Sequence, residues 1–196
     1  MWHAIYEYFL PFLAVLFTAI SVKLTDDYLD EEQDRLLGKF NFTHYLGKGL
    51  PIYGLMSLAV AATLDVTVSV PLFLACYILG MCHDTSSHYP LGLTGFQEGL
   101  LVLLFGYLWF GWAIFSCSLL FIFAVQCLDD WIDAAKDRQV GKKNFAHLIG
   151  KIECILLALI CFSLAYCIDA NLFLPALAGF MMTYVVLMKI ERGDLK

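Results

Sequence analysis

Asp26-Asp27-Tyr28-Leu29-Asp30-Glu31-Glu32-Gln33-Asp34-Arg35 returns 103 positions later as Asp129-Asp130-Trp131-Ile132-Asp133-Ala134-Ala135-Lys136-Asp137-Arg138. The four acids keep the spacing DDxxDxxxD. The match continues through Gly38/Gly141, Lys39/Lys142, Asn41/Asn144, Phe42/Phe145, His44/His147, Gly47/Gly150 and Lys48/Lys151, giving 12 identities in 23 aligned positions. A repeat at fixed offset is the mark of duplicated architecture. What is duplicated here is a dense cluster of acids and bases, which is costly to keep beside a bilayer.

The surroundings are apolar. Hydrophobic residues make up 61% of the chain, charged residues 15%, and mean hydropathy is +0.75. These values predict a polytopic membrane protein. The N-terminal Met1-Trp2-His3-Ala4-Ile5-Tyr6-Glu7 lacks a basic region, so the apolar run after it reads as a permanent span and not a removable signal peptide. The seven cysteines (76, 82, 117, 127, 154, 161 and 167) form no CxxC pair and sit in or beside apolar runs. They read as buried thiols, not as a zinc site or disulfide framework. The net charge of −6 comes largely from the two motifs, and no basic face for nucleic acid exists.

Apolar runs place helices near 8–25, 46–64, 67–83, 91–110, 112–128, 148–168 and 172–190, each near the length a bilayer requires. From Leu100 to Leu128 the run is one very long helix or two spans meeting at Phe110-Gly111-Trp112. Charge decides between them. With two spans, both motifs and all 12 Lys and Arg residues (23, 35, 39, 48, 136, 138, 142, 143, 151, 189, 192 and 196) fall at or near one face. One span would put basic residues on both faces, against the positive-inside rule. The expectation is an all-α transmembrane bundle over 1–196, with seven spans and a cytoplasmic motif face. It consists of two parallel three-helix repeats, 8–88 and 112–191, joined by a linker helix at 91–110. A pseudo-twofold axis along the membrane normal would set both motifs around one central cavity.

If each motif continues its helix, Asp27, Asp30 and Asp34 form one acidic stripe, as do Asp130, Asp133 and Asp137, with Asp26 and Asp129 at the flank. Carboxylates crowded this closely raise one another's pKa unless cations join them. Mg²⁺ answers that need, because it takes one or two carboxylates together with waters and substrate phosphates. All eight acids are therefore candidate metal ligands, with Asp27, Asp30, Asp130 and Asp133 as the catalytic set. Arg35, Lys39, Arg138 and Lys142 are candidate ligands for phosphate oxygens, Arg by a bidentate fork and Lys as a point charge. For one copy a solvated helix cap would be the plainer account. Two copies that keep every acid, the Arg and the Gly-Lys argue against it, while Glu31 and Glu32, replaced by Ala134 and Ala135, read as cap residues.

The run from Asp129 to Lys143, followed by Ala146 and Gly150, resembles the NDxxDxxxDRxxGKxTxAxxxG stretch of the UbiA superfamily of intramembrane prenyltransferases. Asp26 and Asp129 stand where members of that family often have Asn, and the family usually has nine spans where seven are expected here. The resemblance implies motifs that coordinate Mg²⁺ and an isoprenyl diphosphate, whose ionised prenyl group passes to a lipophilic acceptor. The apolar spans would hold the prenyl tail and exclude water. Tyr28, Tyr107, Trp109, Trp112 and Trp131 are candidate cation-facing rings, although interface anchoring accounts for most of them.

Weaker signals surround this one. The loop Met81–Pro90 offers His83, Asp84 and His88 as base or orienting groups. Gln97 and Glu98 either enter an apolar span or precede it, and His44 and His147 share a role in the loop or on phosphate. Asn41-Phe42-Thr43 matches a glycosylation sequon that a cytoplasmic face makes irrelevant. The competing functions are a UbiA-type terpene cyclase or diphosphate lyase, a divalent-cation transporter with acidic vestibule rings, and a cofactor-free scaffold. A CDP-alcohol phosphotransferase is set aside, because that pattern needs Gly after the second Asp, where Glu31 and Ala134 follow Asp30 and Asp133.

Overall fold

A computed structural model describes residues 2–37, 40–83, 92–140 and 144–191, and among them no strand occurs. The helices are α1 (Trp2–Leu29), α2 (Glu31–Leu37), α3 (Thr43–Leu46), α4 (Leu50–Leu64), α5 (Val66–His83), α6 (Gly95–Val140), α7 (Phe145–Leu148), α8 (Lys151–Ile168) and α9 (Ala170–Glu191), with a 3₁₀ turn at Gly47–Gly49. Helices satisfy their own backbone polar groups, which hydrocarbon surroundings demand. Five stretches are long and apolar enough to cross a membrane: Tyr8–Leu29, Thr43–Leu64, Gly95–Ala135, Lys151–Ile168 and Ala170–Leu187, with Val66–Gly80 as a shorter apolar helix. These five are compatible with a multi-pass membrane protein.

The 41-residue stretch Gly95–Ala135 is not one rod. At Gly111 the backbone takes φ 78° and ψ 169°, a region essentially closed to side-chain-bearing residues. Beyond it the chain folds back. Tyr107 and Phe115 meet edge to face at 5.1 Å, and the Tyr107 hydroxyl lies 3.1 Å from Ser116 Oγ. In a straight helix residues nine apart would be separated by about 13 Å. Gly106 lies directly against the Phe115 ring, where a Cβ would collide with it. The run that was ambiguous by apolarity alone is therefore two helical segments meeting at Gly111.

The chain divides into two compact units, Met1–Phe73 with Leu174–Lys196, and Leu74–Phe173. Each contains one acidic motif. The boundaries fall inside α5 and α9. In the first unit α1 packs along α4; in the second α6 packs along α8. Apart from Leu50, the buried residues on the faces that meet are small. Leu50, Gly54, Ser57 and Ala61 are buried on α4, and Cys154, Ala158, Cys161 and Ala165 on α8. Small side chains at 4-3-4 spacing let helices approach closely, which drives association where lipid removes the hydrophobic gain.

Those two stripes are related by an offset of 104, while buried Ala14, Val15, Thr18, Ser21, Leu24 and Asp27 of α1 correspond at 103 to Cys117, Ser118, Phe121, Ala124, Cys127 and Asp130 of α6. The extra residue enters where the 3₁₀ turn Gly47–Gly49 stands opposite the α-helical start of α8. A 3₁₀ turn needs fewer residues, so the shorter segment closes the same corner. Asp65 and Asp169 then make equivalent one-residue connections. Each accepts two backbone N–H groups of the next helix: Thr67 and Val68 at 2.9 and 3.3 Å, Asn171 and Leu172 at 3.1 and 3.2 Å. Pro71 and Pro175 follow six residues later in both.

Candidate functional site

In both copies the second acid of the motif is pinned by the loop that follows. Asp27 is 1% exposed; Lys23 Nζ meets its Oδ1 at 2.9 Å, and the Phe42 N–H donates to its Oδ2 at 2.8 Å. Asp130 is 6% exposed; Gln126 Nε2 donates to its Oδ1 at 3.0 Å and the Phe145 N–H to its Oδ2 at 2.8 Å. A buried carboxylate needs such donors, since desolvating it without them is costly.

An asparagine ties each motif together. Asn41 Nδ2 donates to the Asp27 carbonyl at 2.8 Å and to Asp34 Oδ2 at 2.9 Å. Its Oδ1 accepts from Thr43 N at 2.8 Å and Thr43 Oγ1 at 2.6 Å. Asn144 repeats the arrangement: Nδ2 donates to the Asp130 carbonyl and to Asp137 Oδ2, both at 2.8 Å, and Oδ1 caps α7 by accepting from Ala146 N at 2.8 Å. Both amide protons and the amide oxygen are thus engaged in each buried Asn. The sequon residues Asn41 and Thr43 turn out to be an internal hydrogen-bonding pair.

Asp27, Asp34, Asp130 and Asp137 accept from the latch. Asp26 and Asp129 are exposed, and Asp30, Asp34 and Asp133 are half-buried. The backbone differs from the expectation in the first copy, where α1 stops at Leu29 and a bend at Asp30 precedes α2. The ladder survives the bend, with Asp30 N to Asp26 O at 2.8 Å and Asp34 N to Asp30 O at 2.9 Å. In the second copy α6 runs unbroken to Val140.

Arg35 and Arg138 are exposed on the same helical segments. Lys39, Lys142, Asp84 and His88 lie outside the described residues, and His83 closes α5 with its side chain likewise outside them. His147 Nε2 lies 2.6 Å from the Ala134 carbonyl and so braces the loop against the motif helix; His44 is exposed. Glu31 and Glu32 occupy the first turn of α2 and are exposed, in keeping with cap residues. Gln97 forms a capping box with Thr94, by bonds of 3.0 and 3.3 Å, and Glu98, 8% exposed, accepts from the Tyr77 hydroxyl at 2.6 Å. Both therefore belong to the start of α6. Tyr28, Tyr107, Trp109, Trp112 and Trp131 are all exposed, as interface anchors are.

Among the described residues no three His, Cys, Asp or Glu side chains gather as a metal-ligand set. The donor type is nevertheless one that Mg²⁺ takes, with Asp26 and Asp129 exposed and Asp30 and Asp133 half-buried. Two hard carboxylates per motif, at the first and third positions, meet its preference for few protein oxygens completed by water and phosphate. The latch residues went unassigned in the sequence, although Asn41 and Asn144 recur beside Phe42 and Phe145 at the common offset; that recurrence was the available signal. Comparison with protein-family models, curated proteins and solved structures gives no match to this chain.

Proposed function

We propose that the chain is a Mg²⁺-dependent integral membrane prenyltransferase that ionises an isoprenyl diphosphate and transfers the prenyl group to a lipophilic acceptor. The observation that carries this reading is the twofold occurrence of one construction: DDxxDxxxD with Arg at its end, held by an asparagine to the next helix. The repeated burial register and the break at Gly111 support seven spans in two three-helix repeats, and the Lys and Arg residues clustered about the motifs support a cytoplasmic motif face.

In this reading Asp26 and Asp30 would hold metal at the first motif, and Asp129 and Asp133 at the second, while Asp27 and Asp130 support them from the buried side. Mg²⁺ held by these carboxylates would supply the positive charge that offsets charge developing on the departing diphosphate. Arg35 and Arg138 bind diphosphate oxygens. The allylic C–O bond breaks, its electron pair leaving with diphosphate. The acceptor then bonds to the cationic carbon and loses a proton. The apolar spans exclude the water that would quench that carbon.

The test is incubation of the purified, nanodisc-embedded protein with Mg²⁺, labelled C10, C15 or C20 prenyl diphosphate and a total lipid extract. Pyrophosphate release with label in a lipid product is expected. Failure to bind or consume any of the three diphosphates would sink the proposal. A cyclic hydrocarbon or terpenol formed without lipid extract would move the assignment to a terpene cyclase.

A further inference from the structure

We propose that Asn41 and Asn144 are positioning residues that preset the third acid of each motif, Asp30 and Asp133, for the metal; this inference rests on the functional reading above. Residues 27 and 34 are two helical turns apart, about 10 Å along the axis. A main-chain carbonyl points toward the C-terminal end of its helix, and side chains lean toward the N-terminal end. The Asp27 carbonyl and the Asp34 carboxylate therefore converge from opposite sides on the turn that carries Asp30, and Asn41 joins them there at 2.8 and 2.9 Å. Asn144 spans the turn of Asp133 in the same way, at 2.8 Å to both partners. The bracket is kept in both copies although the backbone beneath it is bent at Asp30 and helical at Asp133. Its conserved elements, across two copies that differ around it, are the Asn, the two acids it serves and the Phe N–H next to it. Groups that orient metal ligands typically change metal affinity 10- to 100-fold when removed.

Two consequences separate a positioning role from a purely structural one. Serine in place of either Asn still caps the following turn by accepting the N–H of residue 43 or 146, but it is too short to reach both motif acceptors. Asparagine in place of Asp137 still offers an amide oxygen to Asn144. The experiment is Mn²⁺ binding followed by electron paramagnetic resonance on the full chain in nanodiscs, with thermal midpoint recorded in parallel. Asn41→Ser and Asn144→Ser should each weaken Mn²⁺ binding about 10- to 100-fold, whereas Asp169→Ala, which removes a helix cap far along the chain, should not. Asp137→Asn should stay within a few-fold of wild type while Asp133→Asn loses binding.

Unchanged affinity in both serine variants overturns the positioning role and leaves the functional reading standing. So does a loss in Asp137→Asn as large as in Asp133→Asn, which makes Asp137 a direct ligand; that arm holds even should the serine variants fail to fold. A wild-type chain that binds no Mn²⁺ overturns the positioning role, while the functional reading stands or falls on the diphosphate assay.

Discussion

The two acidic motifs differ in almost everything except their hydrogen-bonding skeleton. The first bends at Asp30, sets Lys23 against its buried acid, carries Glu31 and Glu32, and leaves His44 exposed. The second is straight, uses neutral Gln126 where the first has Lys23, substitutes Ala134 and Ala135, and anchors His147 to the Ala134 carbonyl. Both retain Asp, Asp and Asn at identical spacing with nearly identical bond lengths. Duplicated segments that drift apart around a fixed set of bonds identify that set as what the local structure requires.

The comparison breaks most visibly at the third acid. On the proposed prenyltransferase reading, Asp30→Ala and Asp133→Ala should each reduce turnover about 100-fold or more, since metal stabilisation of developing charge would be worth several kcal/mol. Prenyl transfer rates in nanodiscs check this, and a variant within a few-fold of wild type would show that one copy alone suffices. Gly111, which has no counterpart within either motif copy, comes next. Gly111→Ala should cost about 1–3 kcal/mol of stability because its backbone conformation is essentially reserved for glycine, measured as a shift in the thermal midpoint.

Lys23 and Gln126 sharpen the contrast. Lys23→Ala leaves Asp27 buried without its cation and should destabilise by about 2–3 kcal/mol, below the range for fully buried pairs because Lys23 is 29% exposed. Lys23→Gln installs the second copy's residue and should recover more than half of that loss in denaturant or thermal titration. The smallest effect is expected at the opposite ends of the helices. Asp65→Ala and Asp169→Ala should each cost about 1 kcal/mol, the usual value of a lost helix cap, and should cost the same in both units.

The duplication, the all-helical class and the break beside Phe110 were legible in the sequence because each rests on local chemistry: identities at one offset, apolar run lengths, a glycine between aromatics. Three things were not. The latch depends on the path by which the loop brings Asn41 back to Asp27, and no helical periodicity encodes that return. The residue-by-residue correspondence beyond Lys48 was hidden because one added residue moves the offset from 103 to 104, so identity counting stops there while Asp65/Asp169 and Pro71/Pro175 continue it. The helix seams were hidden too, since Gly54 and Ala158, or Ser57 and Cys161, share small volume and not identity. Gln97 was decipherable in principle: Thr94 three residues earlier is a capping-box signature.

The seam between α6 and α8 contains its own reporter. Cys127 and Cys154 are wholly enclosed, and the Cys154 thiol is 3.2 Å from the Cys127 carbonyl, whereas Cys167 near the far end of α8 is open to the surroundings. A membrane-permeant maleimide should therefore modify Cys167 promptly and reach Cys154 only when the two helices part. The rate of that second alkylation, read by mass spectrometry without any engineered label, would clock the breathing of the bundle directly beneath the acidic motif.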